Sequence, residues 1–420
     1  MNKLGTFVFL LVLFLLLLFL NWYVYQGVKT LLAQLSSNQR WWAVLAYWLT
    51  MSGISIWVML TFLTIIREGR ISPGSQQRLN LFLTVTVTQL TIVLFLLGED
   101  IFRGIETVYN YFHSFHAKTS ENLSMIPGRR KFVSQVALGI AAIPFAGFVY
   151  GIFKGKYHFR VIRETLYFED LPEAFDGFTI TQLSDIHAGS FTDFEAVQRG
   201  IDLAKNQNAD LFVFTGDLVN HKAEEVDPFL DRLSKIQAKF GQFSILGNHD
   251  YGDYISWPNK EAKEANFNKL KQQHQRLGYQ LLLDESTVVE KDGQKIRLIG
   301  VENWGVGFHA KGDLEKALQG VENDEFKILL SHDPSHWDEK VKKHPKKIHL
   351  TLSGHTHGMQ FGIETPVIKW SPAQYRYPNW AGLAKEAGRY LYVNRGFGFH
   401  AFSGRVGIWP EITVLTLRKA

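Results

Sequence analysis

Residues 178–187 read FTITQLSDIH, an apolar, β-branched run that breaks off into Asp185 and His187. A run of this length, following Gly177, suits a buried strand. In open α/β sheets the chemistry lies outside the carboxyl ends of the strands, which is where an acid and an imidazole stand here.

Six further runs downstream have the same character: LFVFTG (211–216), FSILG (243–247), IRLIGV (296–301), FKILLS (326–331), IHLTLSG (348–354) and ITVLTL (412–417). Between the first three strands, 194–206 and 228–239 carry apolar residues three or four apart, as amphipathic helices do. Strand alternating with helix predicts an α/β fold over 154–420.

Five of the runs end in polar signatures: Asp185-Ile186-His187, Gly216-Asp217, Gly247-Asn248-His249-Asp250, Ser331-His332 and Gly354-His355-Thr356-His357-Gly358. Asp, His and Asn are the oxygen and nitrogen donors that suit divalent metals such as Mn, Fe, Zn or Co, and a chain without cysteine has no thiolate to offer. Alternation along an extended backbone lets Asp185 with His187, and His355 with His357, present paired ligands to one cleft. A single D-x-H would more often be structural, but five such blocks in order after five strands point to two metals. The other ten histidines, among them His221, His309 and His336, read as ordinary core or surface residues.

These blocks resemble the calcineurin-like metallophosphoesterases, whose pattern runs D-x-H, G-D, G-N-H-[DE], H and G-H-x-H. The resemblance spans about 159–418. Within that family it is most similar to a bacterial YkuE-like, membrane-associated branch, through TQLSDIH, TGDLV, LGNHDYG, the GHTHG block, 377–382, NRGFG and PEI. It implies a four-layer α/β/β/α sandwich. It also implies that Asp185, His187 and His357 hold one metal, that Asn248, His332 and His355 hold the second, and that Asp217 bridges them. His249 would be the general acid, with Asp250 orienting its imidazole. Two such metals acidify a bridging water and clamp the phosphoryl oxygens, so that hydroxide attacks in line. One departure is Met359, where the branch has a second glycine before Gln360, and it bears on the loop shape and substrate rim. Arg395 is a weaker candidate, as a clamp for a substrate phosphate.

The N-terminal third has another composition. The chain has 420 residues, 46% of them hydrophobic, and 45 basic against 40 acidic side chains, which excludes a disordered, collagenous or disulfide-stapled protein. Yet the first acidic residue is Glu68, and 4–28, 41–66, 79–98 and 132–153 contain no Asp, Glu, Lys or Arg. Each can cross a bilayer core as a helix of about 20 residues, giving spans at about 5–25, 42–66, 79–98 and 132–153 in a transmembrane region 1–153. No small-residue cleavage site follows the first span, so it reads as an uncleaved anchor. The basic stretch 154–163 reads as a membrane flank rather than a nucleic-acid contact.

Basic residues divide eight against seven between the two sides and leave orientation open. Arg129-Arg130-Lys131-Phe132 resembles a twin-arginine export signal and favours an extracytoplasmic catalytic domain, an ordinary charge cluster being the alternative. The expected function is a membrane-anchored phosphoesterase acting on a phosphoester or pyrophosphate, lipid-linked substrates included because the anchor keeps the site near headgroups. The alternative from another class is a catalytically silent sensor or scaffold that binds a phosphorylated ligand. A transporter is disfavoured by the lack of ionisable residues in the spans.

Overall fold

A computed structural model describes residues 3–68, 72–114, 127–308 and 310–420; His309 lies outside them. The chain divides into two compact units, Met1–Tyr150 and Gly151–Ala420.

Four helices, α1 (Lys3–Leu32), α2 (Ser37–Glu68), α3 (Pro73–Ser114) and α4 (Pro127–Phe153), make up the described part of the first unit apart from residues 33–36 and 72. All four are long and apolar enough to cross a membrane. Leu20, Val24, Leu96, Ala137 and Ala141 form their packed interior. Buried polar groups pair within it, since nothing else satisfies them in hydrocarbon: Gln89 Nε2 donates to Asn21 Oδ1 at 2.7 Å, and Asn21 Nδ2 to Ser55 Oγ at 3.0 Å.

Helix α3 runs well past Gly98, where its charge-free stretch ends. It continues because its charges find partners: Asp100 accepts from Tyr23 Oη at 2.7 Å and pairs with Arg130 at 3.1 Å, and Glu99 pairs with Arg103 at 3.1 Å. The third candidate span therefore reads 74–112 rather than 79–98, and carries ionisable groups.

The second unit is built on two six-stranded sheets. The first holds, in spatial order, Arg160–Phe168, Glu411–Lys419, Thr179–Leu183, Leu211–Phe214, Gln242–Ser244 and Gln280–Leu281; only the pairing of 411–419 with 179–183 is antiparallel. The second holds Gly382–Glu386, Arg389–Val393, Leu350–Ser353, Lys327–Leu330, Gln294–Gly300 and Glu285–Lys291, with the four central strands parallel.

Alternation sorts the side chains into layers. Leu211, Val213, Ile328, Leu330, Tyr390 and Tyr392 meet in the core between the sheets. Phe212 and Phe214 face the helix Phe194–Lys205, through Val197 and Ile201. Leu329, Leu391 and Val393 pack on the opposite side with Leu314, Trp337 and Val341. The result is the α/β/β/α sandwich, with a membrane-type helical region ahead of it.

All seven runs quoted above contain strands. The segment expected to be helical at 228–239 is instead a 3₁₀ stretch, Ala223–Phe229, and a short helix, Leu230–Leu233. Past Leu233 the chain closes tighter turns instead, with the Lys235 N–H donating to the Arg232 carbonyl at 3.3 Å and the Ile236 N–H to that of Leu233 at 3.0 Å.

Candidate metal centre

The five polar blocks converge at the carboxyl ends of the central strands of both sheets. The backbone turns sharply there: Asp185, His187, Asp217, His355 and His357 all take φ between 48° and 70°. L-residues adopt the left-handed region at a cost, and such strain concentrates at functional sites. The neighbouring glycines make room. A Cβ on Gly354 would lie 2.2 Å from Asp185 Oδ2, and one on Gly247 2.2 Å from Asp217 Oδ1.

Two donor sets meet at one oxygen. His187 Nε2 lies 3.1 Å from His357 Nε2, which is 3.2 Å from Asp185 Oδ1. On the other side His355 Nδ1 lies 2.9 Å from Asn248 Oδ1 and 3.3 Å from His332 Nε2. Asp217 Oδ2 is 3.6 Å from His187 Nε2 and 3.2 Å from His332 Nε2. The ligand-type atoms of Asp185, His187 and His357, and those of Asp217, His332 and His355, each lie within 4.8 Å of one another.

The remaining ring nitrogens have partners that orient the imidazoles, as outer contacts of metal-binding histidines do. His187 Nδ1 faces Asn220 Oδ1 at 3.0 Å, His332 Nδ1 donates to the Thr215 carbonyl at 2.7 Å, and His355 Nε2 faces Tyr377 Oη at 2.8 Å.

Burial governs the protonation of the cluster. It lowers the pKa of His187, His355 and His357, leaving imidazoles ready to act as ligands. His332 goes the other way: burial alone would lower it, but the carboxylates of Asp217 and Asp185 outweigh burial and raise it to about 10. Asp217 is held well below the usual carboxylate range despite its burial, chiefly by His332. Buried carboxylates that draw a cation in this way make a site for positive charge.

His249 borders the cluster with Nδ1 donating to the Asn220 carbonyl at 2.9 Å, and its backbone N–H donates to Asp217 Oδ1 at 2.8 Å. Asp250 does not orient this imidazole. Its carboxylate accepts backbone N–H groups of Gly247, Asp217 and Leu218, each at 2.9 Å, because its side chain turns back beneath the loop that carries Asp217. The Asn220 carbonyl takes the orienting role instead.

Arg395 is also placed otherwise than expected. It is ion-paired with Glu364 and Glu411 and only 5% exposed, so its donors are taken and it does not line the cavity. The arginine that reaches the cluster is Arg405, whose Nη2 lies 3.0 Å from His357 Nδ1 and donates to the carbonyls of Arg395 and Gly398.

His400, one of the ten histidines set aside above, joins the site as well. Its ring stacks on His187 with centroids 4.8 Å apart and lies 4.4 Å from that of His249, while its Nδ1 faces Asn220 Oδ1 at 3.1 Å. The signal for it was the glycine-rich NRGFG that follows strand 389–393, one more loop at a strand's carboxyl end.

The cluster opens into a cavity of about 300 Å³ whose lining includes His249, His400, Phe308, Met359, Gln360 and Phe402. Met359 keeps the left-handed turn with φ 47° although it is not glycine, and it stands half exposed on the cavity wall.

Two packed mixed sheets with a buried carboxylate–imidazole cluster at their strand ends define a metal-dependent hydrolase. Residues 178–359 match the family described as Calcineurin-like phosphoesterase, and residues 6–156 match Probable Calcineurin-like phosphoesterase, transmembrane domain. The chain is 30% identical over 298 residues to the Uncharacterized metallophosphoesterase YkuE of Bacillus subtilis, covering 69% of this chain and 98% of that protein. It is 25% identical over 284 residues to YkoQ of the same organism, covering 66% and 97%. It is 28% identical over 282 residues to a Transmembrane protein with metallophosphoesterase domain of Danio rerio, covering 65% and 60%. The chain belongs to the calcineurin-like metallophosphoesterase family, and is a phosphoesterase with a membrane region.

Proposed function

We propose that the protein is a membrane-anchored, dinuclear phosphoesterase that hydrolyses a phosphoester or pyrophosphate, lipid-linked substrates included. The observation that carries this reading is the position of Asp217 Oδ2 between His187 on one side and His332 on the other. A carboxylate shared by two sets of nitrogen and oxygen donors suits a pair of divalent ions of the Mn, Fe, Zn or Co kind. Asp185, His187 and His357 would hold one, Asn248, His332 and His355 the other, and Asp217 both. Bound there, two ions supply an acidified water and neutralise charge on the phosphoryl oxygens.

The chain's own residues do the rest. Asn248 is a neutral donor, with its Nδ2 donating to Tyr254 Oη at 2.8 Å, so its set offsets less of a cation's charge. His249, fixed through Nδ1, has Nε2 left to deliver a proton to the departing alkoxide. His400 and Asn220 brace His187 and His249 against rotation. Phe308, Met359 and Phe402 limit water at the cavity wall. The test is metal analysis of the purified full-length chain, with turnover of bis-aryl and mono-aryl phosphates in Mn, Zn, Co and Mg.

The same reading puts the catalytic unit on the extracytoplasmic side, on the basis of Arg129-Arg130-Lys131-Phe132. The ion pair of Arg130 with Asp100 gives that arginine a structural partner too, so the side needs its own test. A cysteine replacing the exposed Asp292 in this cysteine-free chain should react with an impermeant thiol reagent in intact cells or spheroplasts. Labelling only after lysis would reverse the assignment.

A further inference from the structure

A turn at 365–368 joins the two-stranded ribbon Ile363–Glu364 and Lys369–Trp370, and it exposes what soluble surfaces hide. Val367 is 92% exposed, Ile368 54% and Ile363 51%, and Tyr375 beyond the ribbon is 79% exposed. The turn is a built feature, because the Thr365 N–H donates to the Ile368 carbonyl at 2.8 Å and the Ile368 N–H to Thr365 Oγ1 at 3.0 Å. Its residues carry no charge, and the acid beside it, Glu364, is committed to Arg395.

The ribbon's place in the catalytic unit says what this tip meets. The fourth candidate span ends at Phe153, and its last residues, from Gly151 on, fold with the catalytic unit. Gly151 and Gly155 lie against the segment 405–409 so closely that a Cβ on either would be 2.5 Å from the Arg405 carbonyl oxygen. The Arg405 N–H donates to the Gly151 carbonyl at 3.2 Å, and Val406 in turn bonds to Gln360 and Gly362, where the ribbon begins. Phe361 and Val406 bridge at a strand spacing of about 4.8 Å, and 405–406 in turn touches Gly151, so the ribbon starts two hydrogen-bonded steps from the last turn of α4. The segment between carries interfacial features: Lys154 exposed, Arg160 over the Trp409 ring at 5.5 Å, and Trp370 half-buried at the ribbon's end. Aromatic and basic side chains of this kind favour the headgroup layer.

We propose that the apolar tip at 363–368 inserts into the headgroup and acyl boundary of the bilayer that anchors the chain, and holds the active-site mouth to that surface. The mouth is tied to the same scaffold, since Gln360 Nε2 donates to the carbonyls of Phe402 at 2.6 Å and Gly404 at 2.9 Å, and Ser371 Oγ to that of Gly358 at 2.6 Å. A phosphoester borne on a lipid then reaches the cavity past Met359 without leaving the membrane. The substrate half of this proposal rests on the phosphoesterase reading, whereas the membrane contact does not.

The test places a fluorophore on Val367→Cys in the full-length chain, reconstituted in vesicles of phosphatidylethanolamine and phosphatidylglycerol, with nitroxide-bearing acyl chains as quencher. Quenching several-fold stronger than at a fluorophore on Asp292→Cys is the expected result. Equal quenching at both positions overturns the proposal, as does an unlabelled Val367→Cys that forms disulfides with a second copy while its labelled form is shielded from lipid. In the same vesicles, Val367→Asp with Ile368→Asp should slow hydrolysis of hexadecyl p-nitrophenyl phosphate several-fold and leave soluble bis(p-nitrophenyl) phosphate unaffected. Equal effects on both substrates overturn the delivery role. Failure of the unmutated chain on both would contradict the phosphoesterase reading, while the quenching still decides the membrane contact.

Discussion

His187 Nε2 faces His357 Nε2 at 3.1 Å across 170 positions of sequence, one imidazole from each of the two sheets. Burial keeps both rings from taking up a second proton, and a neutral imidazole keeps one lone pair for a positive charge placed beside it. The carboxylates of Asp185 and Asp217 attract that positive charge. A donor set shaped in this way is a binding site before it is a catalytic one.

The pKa of His332, raised to about 10 from an ordinary 6.5, makes metal-free stability depend on pH. A pKa raised by folding contributes stability that is full below the unfolded value and is lost as pH rises through the folded one. The melting temperature of the metal-free protein is therefore expected to fall between pH 6.5 and 10, and His332→Ala should flatten that slope. Metal binding needs His332 Nε2 bare, so affinity should rise over the same window as the proton is released. Calorimetry in buffers of different ionisation heat checks this; affinity independent of pH would count against the ion pair with Asp217.

His249 touches the cavity but is committed through Nδ1 to a backbone carbonyl. His249→Ala should lower kcat by about 10²–10⁴-fold, the range for a lost general acid, with metal content unchanged. Substrates with good aryl leaving groups should lose less, because they need no proton. Equal losses on good and poor leaving groups would remove the proton-donor role.

Arg395 holds a structural ion pair rather than a substrate. Arg395→Ala leaves Glu411, which is fully buried, without its counter-charge, and breaking a buried pair in this way costs about 3–5 kcal/mol. Chemical denaturation should show that loss, while the KM of whatever folded protein remains stays near the unmutated value. A raised KM with unchanged stability would restore the phosphate clamp.

Much of this was legible along the chain, for a physical reason. Parallel strands buried on both faces must be short and continuously apolar, so runs such as LFVF and KILL announce themselves, and the polar residues that end them fall where the sheet delivers its chemistry. Partners brought in from elsewhere could not be read. Nothing around Arg395 reveals that Glu364 and Glu411 will reach it, and nothing around His400 reveals that Asn220 will hold its ring beside His187. The helix Lys260–Arg276 buries only Leu270, Gln273 and His274, too narrow a stripe to stand out from its polar composition. Helix α3 outran its apolar stretch because Tyr23 and Arg130, far away in sequence, satisfy Asp100.

The most direct measurement is the metal content of the full-length protein beside that of Asp217→Ala, taken with turnover on an aryl phosphodiester. The shared carboxylate predicts two divalent ions per chain in the unmutated protein, and in the variant the loss of most metal together with all activity. Two ions per chain and retained turnover in Asp217→Ala would contradict a dinuclear centre built on that residue.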